Sequence, residues 1–241
     1  MTSTASAERR AAGGEGNAFL AVAGLLFAAS TAATIGLAMA AVPICGGGTM
    51  TGRPAGSDAA SFLAMWLVMM PAMMMPSLVP MLRRYRRTVG GAGVPIERLT
   101  ALVAGGYFCL WTAFALPAFA LEVALPTLGP GATGAVLLIA GALQFTAWKS
   151  RALACCRAMP EGRKMADADT AWRYGLHLGL QCGRSSAGLT AVLLAVGMMD
   201  LGAMAIVTVA ITVERVVPGG QRIAHAIGVV LIVAGLLRVC G

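Results

Sequence analysis

Long apolar runs alternate with short polar stretches along almost the whole chain. Helix-length windows of high mean hydropathy predict spans at 17–42, 61–82, 99–125, 131–150, 176–199, 201–217 and 223–239. Most of these runs approach the roughly 20 residues that a helix needs to cross a bilayer. The pattern therefore predicts an all-α, polytopic transmembrane helix bundle of about seven spans, with residues 17–241 forming a single domain.

The first sixteen residues interrupt this pattern because they are small and polar. Met1 to Gly16 includes Glu8, Arg9 and Arg10, and we expect it to form a disordered cytoplasmic arm. The apolar run that follows is too long for the core of a signal peptide and lacks a convincing cleavage site. It is therefore predicted to be a retained membrane span.

Polar side chains between residues 176 and 186 leave a second topology open. In this alternative topology, these residues form a cytoplasmic or re-entrant segment and one long helix follows from Ala187 to Val213. The chain then has six spans. Six spans would place Arg215 and Arg222 outside, so the distribution of basic residues favours seven. Separately, Asp200 lies in Gly-Met-Met-Asp-Leu-Gly, which suits a sharp turn between two helices.

Composition and charge agree with a membrane protein and indicate its orientation. The chain is 58% hydrophobic and only 12% charged, with a net charge of +8 at pH 7. In the seven-span topology fifteen of the eighteen basic residues lie on one side, leaving Arg53, Arg184 and Arg238. This bias predicts a cytoplasmic N-terminus. The partner of the positive charge is then the lipid bilayer, and nucleic acid is not required.

The second run is unusually rich in sulfur. Residues 61–82 contain seven methionines and three prolines, and Met65, Met69 and Met73 recur at helical spacing with Met70 in the adjacent row. Thioethers in a dry site suit Cu(I) better than other common biological ions. Methionine also fills irregular gaps in apolar cores. The run therefore suggests either metal ligands or simple packing.

Cysteine placement adds a second group of candidate ligands. Cys156 follows the fourth run, and Cys182 lies in the fifth run, which starts on the same predicted side, with His177 five residues earlier. The two span ends are expected to meet and to bring thiols and an imidazole to one cytoplasmic mouth. Cys45 and Cys240 both fall near the outer face, where a disulfide is chemically feasible.

Three polar residues within the apolar runs are further candidates. Gln144 is expected to form hydrogen bonds inside the bundle, and Lys149 is expected to extend its amine toward the interface. Glu214 precedes Arg215 at the end of the sixth run. It is either half of an interfacial ion pair or a carboxylate that binds protons or metal.

Several blocks occur in a fixed order between residues 60 and 235. They are Met-Trp-Leu-Val-Met-Met-Pro-Ala-Met-Met-Met-Pro-Ser at 65–77, Gln144-Phe-Thr-Ala-Trp-Lys149 continuing to Cys156-Arg157, Gly175-x-x-x-Gly179-x-x-Cys182, and Met199-Asp-Leu with Glu214-Arg215. Together they resemble a bacterial domain-of-unknown-function family whose members are described as predicted metal-binding integral membrane proteins. The resemblance implies a metal-handling role.

The chain departs from that family's pattern at positions where the family has cysteine. Ala152 stands three residues after the block lysine, and Ser185-Ser186 follow the Gly-x-x-x-Gly-x-x-Cys block. If the family site is a multi-thiolate centre, this chain is expected to bind metal more weakly or to use methionine in its place.

These features predict a protein that binds or moves Cu(I) through methionine and cysteine ligands. Its expected partner is a copper donor or acceptor protein, and the sequence is compatible with a homo-oligomer. The alternatives are a non-transporting membrane scaffold or assembly subunit, and a proton-coupled carrier of a small solute that uses Gln144, Lys149 and Glu214. An enzyme is not expected, because nucleotide-binding glycine motifs and a nucleophile with a neighbouring base are missing from the sequence.

Overall fold

The described part of the chain is almost entirely α-helical. The computed structural model describes residues 2–41, 55–89, 95–129, 131–157, 167–198 and 200–240, and no β-strand occurs among them. The helices are α1 (Thr2–Ala41), α2 (Ala55–Val89), α3 (Ile96–Ala113), α4 (Ala115–Thr127), α5 (Ala132–Leu143), α6 (Ala147–Arg157), α7 (Ala168–Val196), α8 (Leu201–Val216) and α9 (Gly220–Cys240). The all-α prediction is confirmed.

Four stretches of helix are long and apolar enough to cross a membrane. They are Gly16–Met39, Ala59–Val89, Ile96–Thr127 and Gly220–Cys240. Each of the other predicted spans also contains a helix, but α5 and α8 are short and α7 carries several polar residues. The prediction of about seven spans is therefore not confirmed by helix length and composition.

The N-terminal arm is helical backbone instead of an irregular segment. Helix α1 begins at Thr2 and continues without interruption into the first apolar run. Alanine, glutamate and arginine are good helix formers, and their summed propensity outweighs the glycines in this stretch. The disorder and the cytoplasmic location of the arm both stay predictions.

The turn between α7 and α8 distinguishes between the two arrangements predicted for residues 176–217, one long helix or two helices separated by a turn. Helix α7 includes residues 176–186 and ends at Val196, where Gly197 adopts a φ of +127°. The Asp200 carboxylate then accepts a hydrogen bond from the Ala203 backbone N–H at 2.9 Å and caps α8. The continuous helix from Ala187 to Val213 is not formed, and the predicted turn at Asp200 is confirmed.

The predicted span 131–150 is broken into two helices. Between α5 and α6, Gln144 N–H bonds to Gly141 C=O at 3.1 Å and Thr146 N–H bonds to Leu143 C=O at 3.2 Å, both in the tighter i to i−3 pattern. The Thr146 hydroxyl then accepts the Lys149 backbone N–H at 3.3 Å. Irregular backbone at this depth is tolerated where protein surrounds it.

Helix α2 is the most buried of the four long apolar stretches. It continues through Pro71, Pro76 and Pro80. Both methionine rows are buried; they comprise Met65, Met69 and Met73, with Met70 and Met74 beside them. The sulfur-rich face therefore lies in the core and is packed by the neighbouring helices.

Helices α3 and α7 approach each other closely enough for their backbones to touch. A Cβ atom at Gly175 would overlap the Val103 carbonyl oxygen, and one at Gly106 would lie 2.6 Å from the Trp172 carbonyl oxygen. Small residues permit such crossings in membrane helices. The crossing brings the α3 and α7 side chains near residues 107 and 182 into direct contact.

Candidate metal site

Five helices each contribute one buried side chain to a sulfur-containing cluster. These side chains are Met74 of α2, Tyr107 of α3, Cys156 of α6, Cys182 of α7 and Arg215 of α8. Contact or electrostatic interaction links each member to Cys182. Cys182 is therefore the centre of the cluster.

The sulfur of Cys182 is surrounded by three different groups. The Met74 thioether sulfur is 3.8 Å away, the Tyr107 hydroxyl is 2.7 Å away, and Arg215 Nη1 is 2.6 Å away. Two sulfurs that each lie about 2.3 Å from one metal ion are about 4 Å apart when the angle between them is trigonal. The Cys182–Met74 separation thus matches a pair of ligands on one soft cation.

Arg215 holds the cluster together through its planar fork of donors. Its Nη2 donates to the Cys182 carbonyl and to the Ser185 hydroxyl, both at 2.8 Å, and Nη1 also reaches the Ser77 hydroxyl at 3.3 Å. Arg215 therefore ties α8 to α7 and α2 around the Cys182 sulfur.

Cys156 is a second buried thiol on the same side of the bundle. It interacts electrostatically with Arg215 and Cys182, and Ser185 lies within hydrogen-bonding reach of it. Burial raises the pKa of Cys156 to about 11, although the nearby guanidinium opposes this shift. The thiol is thus protonated near neutral pH while no cation binds it. The structure places Cys156 and Cys182 together, as the sequence suggested.

Other predicted ligands lie elsewhere. Met65, Met69, Met70 and Met73 are buried in the core, but the thioether that contacts Cys182 belongs to Met74.

The imidazole of His177 does not join the thiols. His177 is exposed. Five residues along a helix correspond to a rotation of about 140°, so His177 and Cys182 face different directions on α7. The prediction of an imidazole in this cluster is wrong for that geometric reason.

The three predicted polar residues do come together, next to the sulfur cluster. Lys149 Nζ donates to Glu214 Oε2 at 2.8 Å, and both side chains are at least 95% buried. The amide of Gln144 lies beside the Glu214 carboxylate. The expectation that Lys149 extends to the interface is wrong, because the carboxylate from α8 supplies an opposite charge in the interior. Glu214 is likewise buried and does not lie at an interface.

The positions that lack the family cysteines surround the same cluster. The Ser185 and Ser186 hydroxyls donate to the Cys182 carbonyl at 2.9 and 2.8 Å. Ala152 is buried on α6, one helical turn before Cys156. Hydroxyl and methyl groups thus replace potential thiols without opening the cluster to the surface.

Sequence reasoning missed Met74, Tyr107 and Arg215 as members of the cluster. Met74 was visible in the row that contains Met70, and Arg215 was visible as a charge at the end of an apolar run. Tyr107 follows the Gly105-Gly106 pair, whose lack of side chains signals a close helix contact but not the identity of the partner. None of these signals gives the rotation of a helix about its axis.

The donor set fits a soft cation better than a hard one. No group of three or more histidine, cysteine, aspartate and glutamate side chains suitable for a metal occurs within the described ranges. The cluster offers thiol and thioether donors instead, which soft ions such as Cu(I) accept. The disulfide considered between Cys45 and Cys240 involves a residue outside the described ranges, and Cys240 is a free thiol.

The structure therefore defines an all-α protein with four possible membrane spans and a buried set of soft sulfur donors. The family model described as PpoB2, copper chaperone, matches residues 63–238, which is most of the chain. The chain therefore belongs to this copper chaperone family, and a copper-related function follows from that membership. No curated protein and no solved structure matches it.

Proposed function

We propose that this protein is a membrane-embedded copper chaperone that carries Cu(I) between Cys182 and Met74, with Cys156 as a second thiolate. The observation that carries the proposal is the 3.8 Å contact between the Cys182 and Met74 sulfurs in a chain of the copper chaperone family. Copper is the cargo here, so it enters and leaves without a change in oxidation state. We propose no enzymatic activity for it.

The composition of the site suits transfer better than storage. A thioether is a weaker ligand than a thiolate, so a site with two thiolates and one thioether releases its ion more easily than a closed thiolate cage. The serines at 185 and 186 limit the number of thiolates around the ion. The function that follows is delivery to an acceptor protein with stronger ligands.

The membrane location is also part of the proposal. Four helical stretches are long and apolar enough to cross a bilayer. The distribution of basic residues favours a cytoplasmic N-terminus. The resemblance to a bacterial family of integral membrane proteins favours the bacterial inner membrane. The copper donor or acceptor would then bind the protein at the cytoplasmic side, near the end of α6 and the beginning of α7.

Copper retention after anaerobic loading of the detergent-solubilised protein tests the site. We expect Cys182→Ser to retain less than about a tenth of the wild-type copper, and Met74→Leu to weaken binding on the order of tenfold because one ligand is lost. Met69→Leu is the matched control, since Met69 is equally buried on the same helix. Wild-type retention in the Cys182→Ser protein, or equal losses in both methionine variants, would contradict the assignment.

A gain of affinity is expected when a missing thiol is restored. Ser185 lies between Arg215 and Cys156, so Ser185→Cys places a third thiol beside the other two. We expect the apparent Kd for Cu(I) to fall by about tenfold in competition with a chelator of known affinity. Ser150→Cys, at a partly buried position on α6, is the control for adding a thiol outside the cluster. Equal effects of both substitutions would count against the proposed site.

A further inference from the structure

An apolar groove runs along the surface of the bundle and shares no lining residue with the sulfur cluster. Its volume is about 330 Å³, which lies in the range of ligand-binding pockets. The floor is buried and consists of Trp66, Trp111, Ala118 and Leu194. The rims are exposed and include Pro117 on the α4 side, with Leu180, Arg184 and Ala187 on the α7 side. The groove therefore opens sideways from the bundle.

Small side chains on α7 give the groove its shape. Gly183, Ala187 and Ala191 recur at intervals of four residues, so they lie on one face of the helix and leave space beside it. From Arg184 to Leu194 the groove follows α7 for about 15 Å. The hydrocarbon core of a bilayer is about 30 Å thick. The length of the groove therefore matches the acyl chain of a lipid from one leaflet.

A positive charge lies on the rim of this mostly apolar groove. The guanidinium carbon of Arg184 is 5.5 Å from the centre of the Trp148 ring, and both residues line the groove. Within the described ranges, Arg184 forms no ion pair with a carboxylate. An arginine that stacks on an aromatic ring can still bind phosphate through the N–H donors at its edge. The rim therefore presents a cation that is complementary to a phosphate group.

We propose that this groove binds an anionic phospholipid, with the phosphate at Arg184 and one acyl chain lying along α7 toward Leu194. The inference rests on the membrane location proposed above and not on copper binding. In the predicted orientation α7 begins on the cytoplasmic side, so the headgroup lies toward the cytoplasmic leaflet and the chain points toward the middle of the bilayer. That leaflet commonly carries anionic lipids. A zwitterionic lipid offers the same chain but also brings a positive charge close to Arg184.

Fluorescence quenching by brominated lipids tests the site in the reconstituted full-length protein. Trp66, Trp111 and Trp148 line the groove, so tryptophan emission reports a brominated acyl chain within it. The readout is the ratio of the binding constants of brominated phosphatidylglycerol and brominated phosphatidylcholine. We expect the anionic lipid to be preferred by about fivefold or more, and Arg184→Gln to abolish this preference. Arg173→Gln removes an exposed cation of α7 outside the groove and should keep it.

A second pair of variants tests the position of the acyl chain. Ala187→Leu places a larger side chain in the groove and is expected to reduce quenching by both brominated lipids. Ala226→Leu adds the same bulk at an exposed position of α9 outside the groove, and this variant should match the wild type.

Three results would overturn the lipid site. They are equal binding of the two lipids by the wild type, an Arg184→Gln protein that keeps the preference, and an Ala187→Leu protein with wild-type quenching. The last result would mean that the chain lies elsewhere and would leave the groove to another occupant, such as a partner helix. Release of the protein from membranes by alkaline carbonate would overturn the membrane location and this inference with it. Failure to retain copper would overturn the proposed copper site while the lipid site stands.

Discussion

Replacing Lys149 with methionine is expected to lower the free energy of unfolding by about 3–5 kcal/mol, because it leaves the Glu214 carboxylate buried without its opposite charge. The two side chains are 2.8 Å apart and almost completely buried. They join the start of α6 to the end of α8, next to the helix break at residues 144–146. A long, apolar side chain fills the space of the lysine but cannot neutralise the carboxylate.

The double variant Lys149→Met/Glu214→Leu separates the effect of an unpaired charge from the effect of a changed side-chain volume. Replacing both members of a buried ion pair with apolar groups of similar size is often neutral, so we expect it to recover most of the lost stability. Unfolding in mixed detergent micelles, followed by tryptophan fluorescence, provides the free energies. Arg173→Met is the exposed control: its ion pair with Asp169 lies at 3.6 Å on the surface, and its loss should cost less than about 0.5 kcal/mol. A double variant no more stable than Lys149→Met would show that the loss does not come from a buried carboxylate deprived of its lysine.

Sequence patterns predicted the helices well because each apolar run must satisfy its backbone hydrogen bonds internally. The turn at Asp200 could also be predicted, since glycine and an acidic N-cap are local signals. The break at residues 144–146 could not, because the sequence there contains neither proline nor glycine. The buried position of Lys149 likewise depends on Glu214, which lies 65 residues away in the sequence.

The candidate site was predicted in part. Cys156 and Cys182 were expected to lie close together because both fall near the same predicted end of their spans, and this argument needs no knowledge of helix rotation. Selecting one methionine does need it. Both rows of α2 are buried, and only the rotation of α2, which packs against α3 and α8, determines that Met74 faces Cys182 of α7. The prediction for His177 is wrong for the same reason. Its position in the sequence suggested that it lies near Cys182, but its side chain is exposed on another face of α7.

The crossing of α3 and α7 is the feature on which the geometry of the cluster depends most directly. Gly175 lies seven residues before Cys182 on α7, and its position leaves no room for a side chain against the Val103 carbonyl of α3. Backbone atoms cannot rotate away as a side chain does. A methyl group at this position therefore has to push the two helices apart, and the Tyr107 hydroxyl and the Cys182 sulfur, now 2.7 Å apart, move with them.

Gly175→Ala is accordingly expected to lower the free energy of unfolding by about 3 kcal/mol, at the upper end of the usual cost of overpacking. Copper retention should fall as well, because the position of α7 sets the distances from Cys182 to Met74 and Arg215. Gly188→Ala provides the matched control on the same helix: its Cβ would meet its nearest neighbour, Ala140 of α5, at an ordinary 3.4 Å. We expect that variant to match the wild type in stability, measured by the same detergent unfolding, and in bound copper. If the two alanine variants behaved alike, the close approach of α3 and α7 would not be what positions the cluster.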